Sequence, residues 1–442
     1  MKRLFFIILS VILIFSGLTG CGEKTTLDPN EPVTLSMWHV YGEQADSPMN
    51  RLVEEFNATV GQEKGVLVTV TNVTSTSKIS AQLEEAMADK PDAPEMPDLF
   101  SAHTNTAEAI GAEHLLDWNA AFSEEELAGF VPEFLADGRM GDKLAVFPLS
   151  KSTYALFLNG SQFARFSADT GVTYESLSTW EGFFDAAAKY YDWSGGKPFC
   201  ALDYLIRHIE FDMMAKDGAL DYTEDGWYDL TDPSLKESWM KFAVPLVQGH
   251  IVVSDLYSNT QVMTGETLSG IGSTAAITYY NDTVTYPDNT SEPTNLTVLP
   301  LPKTGEGEQF MPMTGVGLCA YQTTEQKAEA AAVFARWLTE GERNLDFVVE
   351  TGYMPVNNDA FDAMEGYVFP DAGYESLYTA IRTMREGYTP IVRPAFGGYY
   401  DKTDTLYEGL RQMLPEMRQR ADHGENAETL AQETWEFFCS IP

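Results

Sequence analysis

Cysteine and histidine are scarce in this chain, with four of one and six of the other among 442 residues. The cysteines, Cys21, Cys200, Cys319 and Cys439, lie far apart and form no C-x-x-C pair, which excludes a disulfide-dense scaffold and a zinc ribbon. The histidines supply no H-E-x-x-H and no close ligand pair, so neither a catalytic metal nor any other cofactor is expected. Positive charge is equally thin: 28 basic residues face 66 acidic ones, a formal charge of -38. Such a surface repels phosphate backbones, which excludes nucleic acid as a partner and makes anionic lipid a poor one. No apolar run reaches the roughly 20 residues that a membrane span needs. Repeats of 20–50 residues and low-complexity tracts are absent too.

What is present starts at the amino terminus. Lys2 and Arg3 precede twelve residues from Leu4 to Phe15 that are apolar except for Ser10. A basic start, a short apolar core and a small-residue exit describe an export signal, here residues 1–20. The exit, Leu18-Thr19-Gly20-Cys21, resembles the lipobox of bacterial lipoproteins, which implies cleavage before a diacylglyceryl Cys21. Two acyl chains, at about 0.8 kcal/mol per buried CH2, hold a protein stably on a bilayer where one does not. The mature chain then carries 26 basic against 66 acidic residues, a charge of -40. Three cysteines remain and cannot all pair, so buried free thiols are expected, with one disulfide as the alternative. Residues 21–32, polar and holding two prolines, read as a tether of at most roughly 35 Å at about 3.5 Å per residue.

A chain of this length accommodates two or more cores. Val33 to Trp38 alternates as a strand does, and Ser47-Pro48 opens a helix with Met49, Leu52, Val53 and Phe56 on one face. The pattern recurs: a strand from Val66 to Val70, a helix with Ile79, Leu83, Ala86 and Met87 on one side, and a strand from Asp98 to Ala102. Alternation of this kind predicts a mainly parallel sheet flanked by helices, which binds ligands beyond the carboxyl ends of its strands. The loops there are "HVYGE", "TSTSK" and "HTNT". Proline-marked extended passages at 143–159 and 296–321 predict two crossings between lobes. Thr323 to Gln326 offers a capping box to a helix running through Leu338, with Gly341 as its stop.

In order along the chain stand "MWHVYGEQADSPMNRLVEEFN", "MPDLFSAHTNTAEAI", "FPLSKSTYALFLN", "VLPLPKTG", "TGVGLCAY" and "TGYMPV". With this set behind its lipobox, the sequence resembles the extracellular solute-binding proteins of ABC importers, the family that includes maltose- and glycerol-3-phosphate-binding proteins. The resemblance implies an α/β, two-lobed Venus-flytrap fold of type II. Residues 33–147 plus 303–350 form one lobe and 148–302 plus 351–442 the other. It further implies a monomer without enzymatic activity, anchored on the extracytoplasmic face of the cell membrane, that passes a sugar or oligosaccharide to permease subunits.

Three other readings are weighed on their residues. "GLTGCGEK" approaches a P-loop, but Glu23 separates the glycine from the lysine. Ser75-Thr76-Ser77-Lys78, Tyr257-Ser258-Asn259 and Lys303-Thr304-Gly305 imitate the three motifs of penicillin-interactive serine acyltransferases. Lys303, however, follows two prolines and precedes "GEGE", a loop where that chemistry needs a strand. Asp221, Thr223, Asp225, Gly226, Asp229 and Asp232 match an EF-hand-like spacing. Yet Asp225-Gly226 is also a turn signal ahead of a strand at "WYDL", and Asp232-Pro233 a helix start.

Carried over position by position, the family pattern implies solute contacts from Tyr41, Glu43, Ser77, Lys78, His103 and Asn105 in one lobe and Ser152 at the crossover. The other lobe adds Tyr204, Arg207, Ser273 and Thr274, and Gly315, Tyr353, Arg393, Tyr399 and Tyr400 complete the set. Planar hydrogen-bonding groups with aromatic faces suit a saccharide. Arg393 leaves a phosphorylated polyol such as glycerol-3-phosphate as the alternative. Glu43 and the negative surface oppose an anion and favour a neutral sugar.

Overall fold

The computed structural model describes residues 25–441 apart from 43–46, 77, 89–91, 218–219, 221, 224–226, 322–323 and 393–397. Cys21, Glu43, Ser77, Asp221, Asp225, Gly226 and Arg393 therefore lie outside the described residues, and of Tyr400 only the backbone is described.

Val33–His39 (β1) keeps Thr34 exposed and buries Leu35 and Met37, as its alternation predicts, then buries Trp38 and His39 as well. Pro48–Ala58 (α1) starts where Ser47 Oγ accepts from Asn50 N, with proline at the first position, and buries Met49, Val53 and Phe56. Val66–Val73 (β2) pairs in parallel with β1. Ile79–Met87 (α2) turns Ile79 and Leu83 inward, and Leu99–Ala102 (β3) lies parallel to β1 on its other side.

The chain then leaves this sheet. Tyr154–Leu158 (β4), buried at all five positions, begins a second one. Cys200–Leu202 (β5), the helices Leu205–Asp217 (α3) and Pro233–Val247 (α4), and Ile251–Val252 (β6) follow. Ser258–Met263 (α5), Ser269–Ser273 (β7) and Thr297–Leu299 (β8) complete that region. Gly317–Ala320 (β9) returns to the first sheet, antiparallel to β3. Glu325–Leu338 (α6), Gly341–Thr351 (α7), Ala372–Gly387 (α8) and Tyr399–Asp422 (α9) carry the chain toward its end. The strand orders are β9-β3-β1-β2 and β8-β4-β7-β5-β6. In the second sheet β4 runs antiparallel to both β7 and β8 while β7, β5 and β6 are mutually parallel, so it is mixed rather than mainly parallel. Strands entered directly from the other lobe need no crossover helix to reverse direction.

Three segments joining the sheets run side by side, bridged at Phe147 with Leu318, Lys151 with Met354 and Ser152 with Thr314. The buried Lys151 ammonium there donates to Asp137.

Four local expectations are corrected. Gly341 does not end a helix but opens α7, because α6 already stops at Thr339, whose hydroxyl turns back to Ala335 O. "WYDL" forms no strand: Tyr228 makes one isolated bridge to Tyr222, and its hydroxyl is drawn inward to Glu210. Cys439 is exposed, while Cys200 and Cys319 are buried, and all three are free thiols. Residues 25–32, read as tether, are docked: Leu27 is buried, Thr25 and Thr26 donate to Glu329, and Gln326 donates to Thr26 O.

Candidate functional site

The loops at the carboxyl ends of β1 and β2 meet the short helix that follows β7, and between them lies a cavity of about 160 Å³. Tyr41 forms part of its wall. That ring is buried edge-on against Phe347 and Tyr353, with centroids 5.0 and 5.9 Å away. Its hydroxyl shares a 2.8 Å hydrogen bond with Ser150 Oγ in the first crossing segment. Burial pushes the Tyr41 phenol far above its usual range and the Tyr353 phenol up to about 12, so both are neutral donor-acceptors at physiological pH. Ser75, Thr76 and Thr278 add hydroxyls and Tyr279 an open aromatic face, 57% exposed. Among the described residues Glu350 is the one carboxylate in the lining, and it accepts from Arg51. Gly352 (φ 73°) lets the turn after α7 close onto the second sheet, since a Cβ there would sit 2.9 Å from Ala275 Cα and 3.0 Å from Thr274 O.

A second cavity of about 350 Å³ opens beyond β5 and β6, lined by Asp203, Tyr204, Arg207, Tyr257 and Tyr399 among others. Asp203 Oδ1 accepts from Ser258 N at 3.0 Å and Oδ2 from Ser258 Oγ at 2.9 Å. Burial nevertheless pushes its carboxyl up to about 6, with the Ser258 bonds opposing. His208, one turn into α3, is pushed down to about 3 by burial and is therefore neutral. A larger cavity of about 510 Å³, lined by Lys64, Phe122 and Trp337 among others, shares no lining residue with either and includes none of the loops beyond the strands' carboxyl ends named above.

The sequence-derived contacts fare unequally. Tyr41 and Tyr353 line the smaller cavity, and Tyr204, Arg207 and Tyr399 the larger. His103 instead donates from Nδ1 to Gly315 O at 3.1 Å, and Gly315 (φ 117°) packs on Ser150 and Lys151, so this pair braces the crossing segments. Ser152 is buried in its bridge to Thr314, and Thr274 is buried with its amide donating to Thr153 O. Ser273 Oγ caps its own turn by accepting from Ala275 N. Lys78 and Asn105 are exposed and line neither cavity. Arg207 is 2% exposed, ion-paired to buried Glu210, and donates to Ile391 O at 3.3 Å and Val392 O at 3.2 Å. Those partners make it a brace for the backbone as well as a floor to the cavity. Sequence reasoning missed Asp203, Tyr257, Thr278 and Tyr279. The rule that selected the first three loops, to look beyond strand ends, finds these once β5, β6 and β7 are recognised.

Asp229 accepts from Thr231 within its own turn, and Asp232 caps α4. Among the described residues no cluster of His, Cys, Asp and Glu has the geometry to hold a metal, and no helix is long and apolar enough to cross a membrane.

Two mixed sheets, three crossing segments and ligand-sized space at the strand ends between them define the architecture of two-lobed periplasmic binding proteins. The cyclic alpha-maltosyl-1,6-maltose binding protein from Arthrobacter globiformis shares it with a TM-score of 0.66 and 16% identity, over 92% of this chain and 99% of that one. UgpB from Mycobacterium tuberculosis, solved with glycerophosphocholine, matches with a TM-score of 0.64 and 15% identity over 92% and 98%. The sugar-binding protein MalE from Xanthomonas citri gives 0.64 and 15% over 92% and 97%. No curated protein matches by sequence. Residues 51–368 match the bacterial extracellular solute-binding proteins, and the chain belongs to that family. It is an extracytoplasmic solute-binding protein of an ABC importer, and the family's members bind their solutes rather than transform them.

Proposed function

We propose that the solute is an uncharged saccharide, held between the lobes of a receptor tethered to the membrane through a diacylglyceryl Cys21. The observation that carries this is the lining of the 160 Å³ cavity: three tyrosines and several hydroxyls, no cation among the described residues, and one carboxylate at Glu350. A sugar ring offers CH faces to the tyrosines and hydroxyls to the polar groups. Among the described lining residues a phosphate meets neither a guanidinium nor an ammonium. The neighbouring structures include binders of sugars and of glycerophosphocholine, so they support the fold and not the choice. The anchor reading rests on the lipobox. Because Thr25 is docked on α6, the free span from Cys21 shrinks to about 11–14 Å at about 3.5 Å per residue, which holds the first lobe close to the bilayer.

A thermal-shift panel of neutral mono- and oligosaccharides beside glycerol-3-phosphate tests the solute. A ligand at 100 times its Kd adds about 2.7 kcal/mol of stability. Stabilisation by neutral sugars with little salt dependence is expected. Stabilisation by glycerol-3-phosphate alone, weakening steeply with salt, refutes the saccharide. Mass spectrometry of the amino-terminal peptide checks the anchor, and an unmodified Cys21 refutes it.

A further inference from the structure

We infer that His39, buried at the end of β1, is a positioning residue of the solute site: it holds the backbone of Tyr41 and, through it, the ring that walls the smaller cavity. This rests on the reading of Tyr41 as a solute contact and adds the residue on which that contact depends.

An imidazole brings two polar nitrogens into the interior, which is costly unless both are bonded. His39 has no exposed surface, and both of its nitrogens have partners. Tyr41 N donates to Nδ1 at 3.1 Å, which makes Nδ1 the acceptor and leaves the proton on Nε2. Nε2 then donates to Asn50 Oδ1 in α1 at 2.9 Å. Burial lowers the pKa of the ring, with the Asn50 bond opposing, so the neutral form that this pattern needs is the one present at physiological pH. The His39 and Tyr41 rings lie with centroids 6.2 Å apart at 29°.

The other side of the Tyr41 backbone is held as well. Ser47 Oγ donates to Tyr41 O and accepts from Asn50 N at 3.3 Å, so Asn50 stands behind both restraints. Gly42 lets the chain press on β2, since a Cβ there would lie 2.2 Å from Val73 Cγ1. A backbone fixed at both N and O aims the Tyr41 side chain at Ser150, Phe347 and Tyr353. His39 itself lines neither solute-sized cavity at the strand ends. Its influence on a solute therefore passes through Tyr41.

The experiment compares two variants that each keep one half of the ring's bonding. In His39→Asn the side-chain carbonyl takes the place of Nδ1 and accepts from the amide two residues on, as asparagine commonly does in turns, while the bond to Asn50 is lost. In His39→Gln the side-chain amide reaches the place of Nε2 and keeps Asn50, while the Tyr41 amide loses its acceptor. Titration calorimetry on the full chain uses glucose, maltose, xylose and xylobiose. For each sugar that the wild type binds, His39→Gln is expected to weaken Kd at least tenfold, and His39→Asn to restore it to within threefold. In a Tyr41→Ala background the contrast between the two should vanish, because His39 acts only through that residue. Amide hydrogen exchange gives a readout without solute: the Tyr41 amide should exchange at least tenfold faster in His39→Gln than in the wild type or His39→Asn. Equal affinities in the two variants, a contrast that survives Tyr41→Ala, or equal exchange rates overturn the assignment. If the wild type binds no sugar, the saccharide reading fails by itself, and the exchange rates still decide whether His39 holds Tyr41.

Discussion

Replacing Arg207 by methionine asks whether this guanidinium serves the solute or the fold. In the structure it is enclosed, paired with Glu210, which is itself fully buried and also accepts from the hydroxyls of Tyr228 and, at 3.4 Å, Tyr399. Arg207→Met leaves the Glu210 charge without its counter-ion in a low-dielectric site, a change that costs about 3–5 kcal/mol when a buried pair is broken. The donations to Ile391 O and Val392 O go with it, at about 1 kcal/mol each. In a lobe of this size about 2–4 °C of melting temperature follows each kcal/mol, so a loss of roughly 10–28 °C is expected. The double variant Arg207→Met/Glu210→Leu removes both charges and recovers most of that, because replacing a buried pair by apolar groups is close to neutral. The two tyrosine hydroxyls left without Glu210 keep about 1–2 kcal/mol of the loss. Scanning calorimetry of the wild type, the single and the double variant measures this directly. An unchanged melting temperature in Arg207→Met with lost solute binding refutes the reasoning and returns Arg207 to the list of solute contacts.

Gly352→Ala forces an alanine into φ 73° with its Cβ 2.9 Å from Ala275 Cα, so a loss of about 2–4 kcal/mol is expected from strain and overlap together, read as a lower chemical-denaturation midpoint. Gly366→Ala, at φ 82° but in open space, is the control and should lose only the smaller conformational share. Asp203 titrates near 6 folded against 3.8 in its unperturbed state, so between those values the folded chain holds more protons and its stability falls as pH rises. Asp203→Asn abolishes that slope. The wild type is expected to lose about 2–3 kcal/mol relative to the variant between pH 4 and pH 7, and a pH-independent difference contradicts the buried carboxyl.

Elements with a local cause were legible. Ser47, Thr324 and Asp232 each cap the helix that the sequence places after them, and the apolar spacing from Ile79 to Met87 predicts both the helix and its buried face. What failed depends on partners distant in sequence. Gly341 looked like a stop because glycine usually ends helices. Here it is small so that the backbone passes Asp359, whose Cβ would lie 2.9 Å from its own. The helix "LIRHIEFDMMAKD" sets Arg207, His208, Glu210 and Asp212 among its apolar residues, and all four are buried. Periodicity carries no signal when tertiary pairing, rather than water, satisfies the charges. Tyr257 was read inside a chance motif with Ser258. Its meaning appears only when Ser258 is seen gripping Asp203 from the neighbouring strand end.

Tyr41 shows how such a cleft is joined to the chain that connects its halves. One edge of its ring forms the cavity wall, and its hydroxyl bonds to Ser150 in the first crossing segment. The next two residues, Lys151 and Ser152, bridge to Met354 and Thr314 in the other two crossing segments. Tyr353, whose ring meets Tyr41 edge-on, immediately precedes Met354 and lines the same cavity. A solute that presses on these two rings therefore acts on all three connections through one hydrogen bond and one aromatic contact. In a packed interior a displacement at Tyr41 is passed on rather than absorbed. On the proposed reading, in which the solute touches Tyr41 and Tyr353, hinge motion is coupled to occupancy through these two side chains.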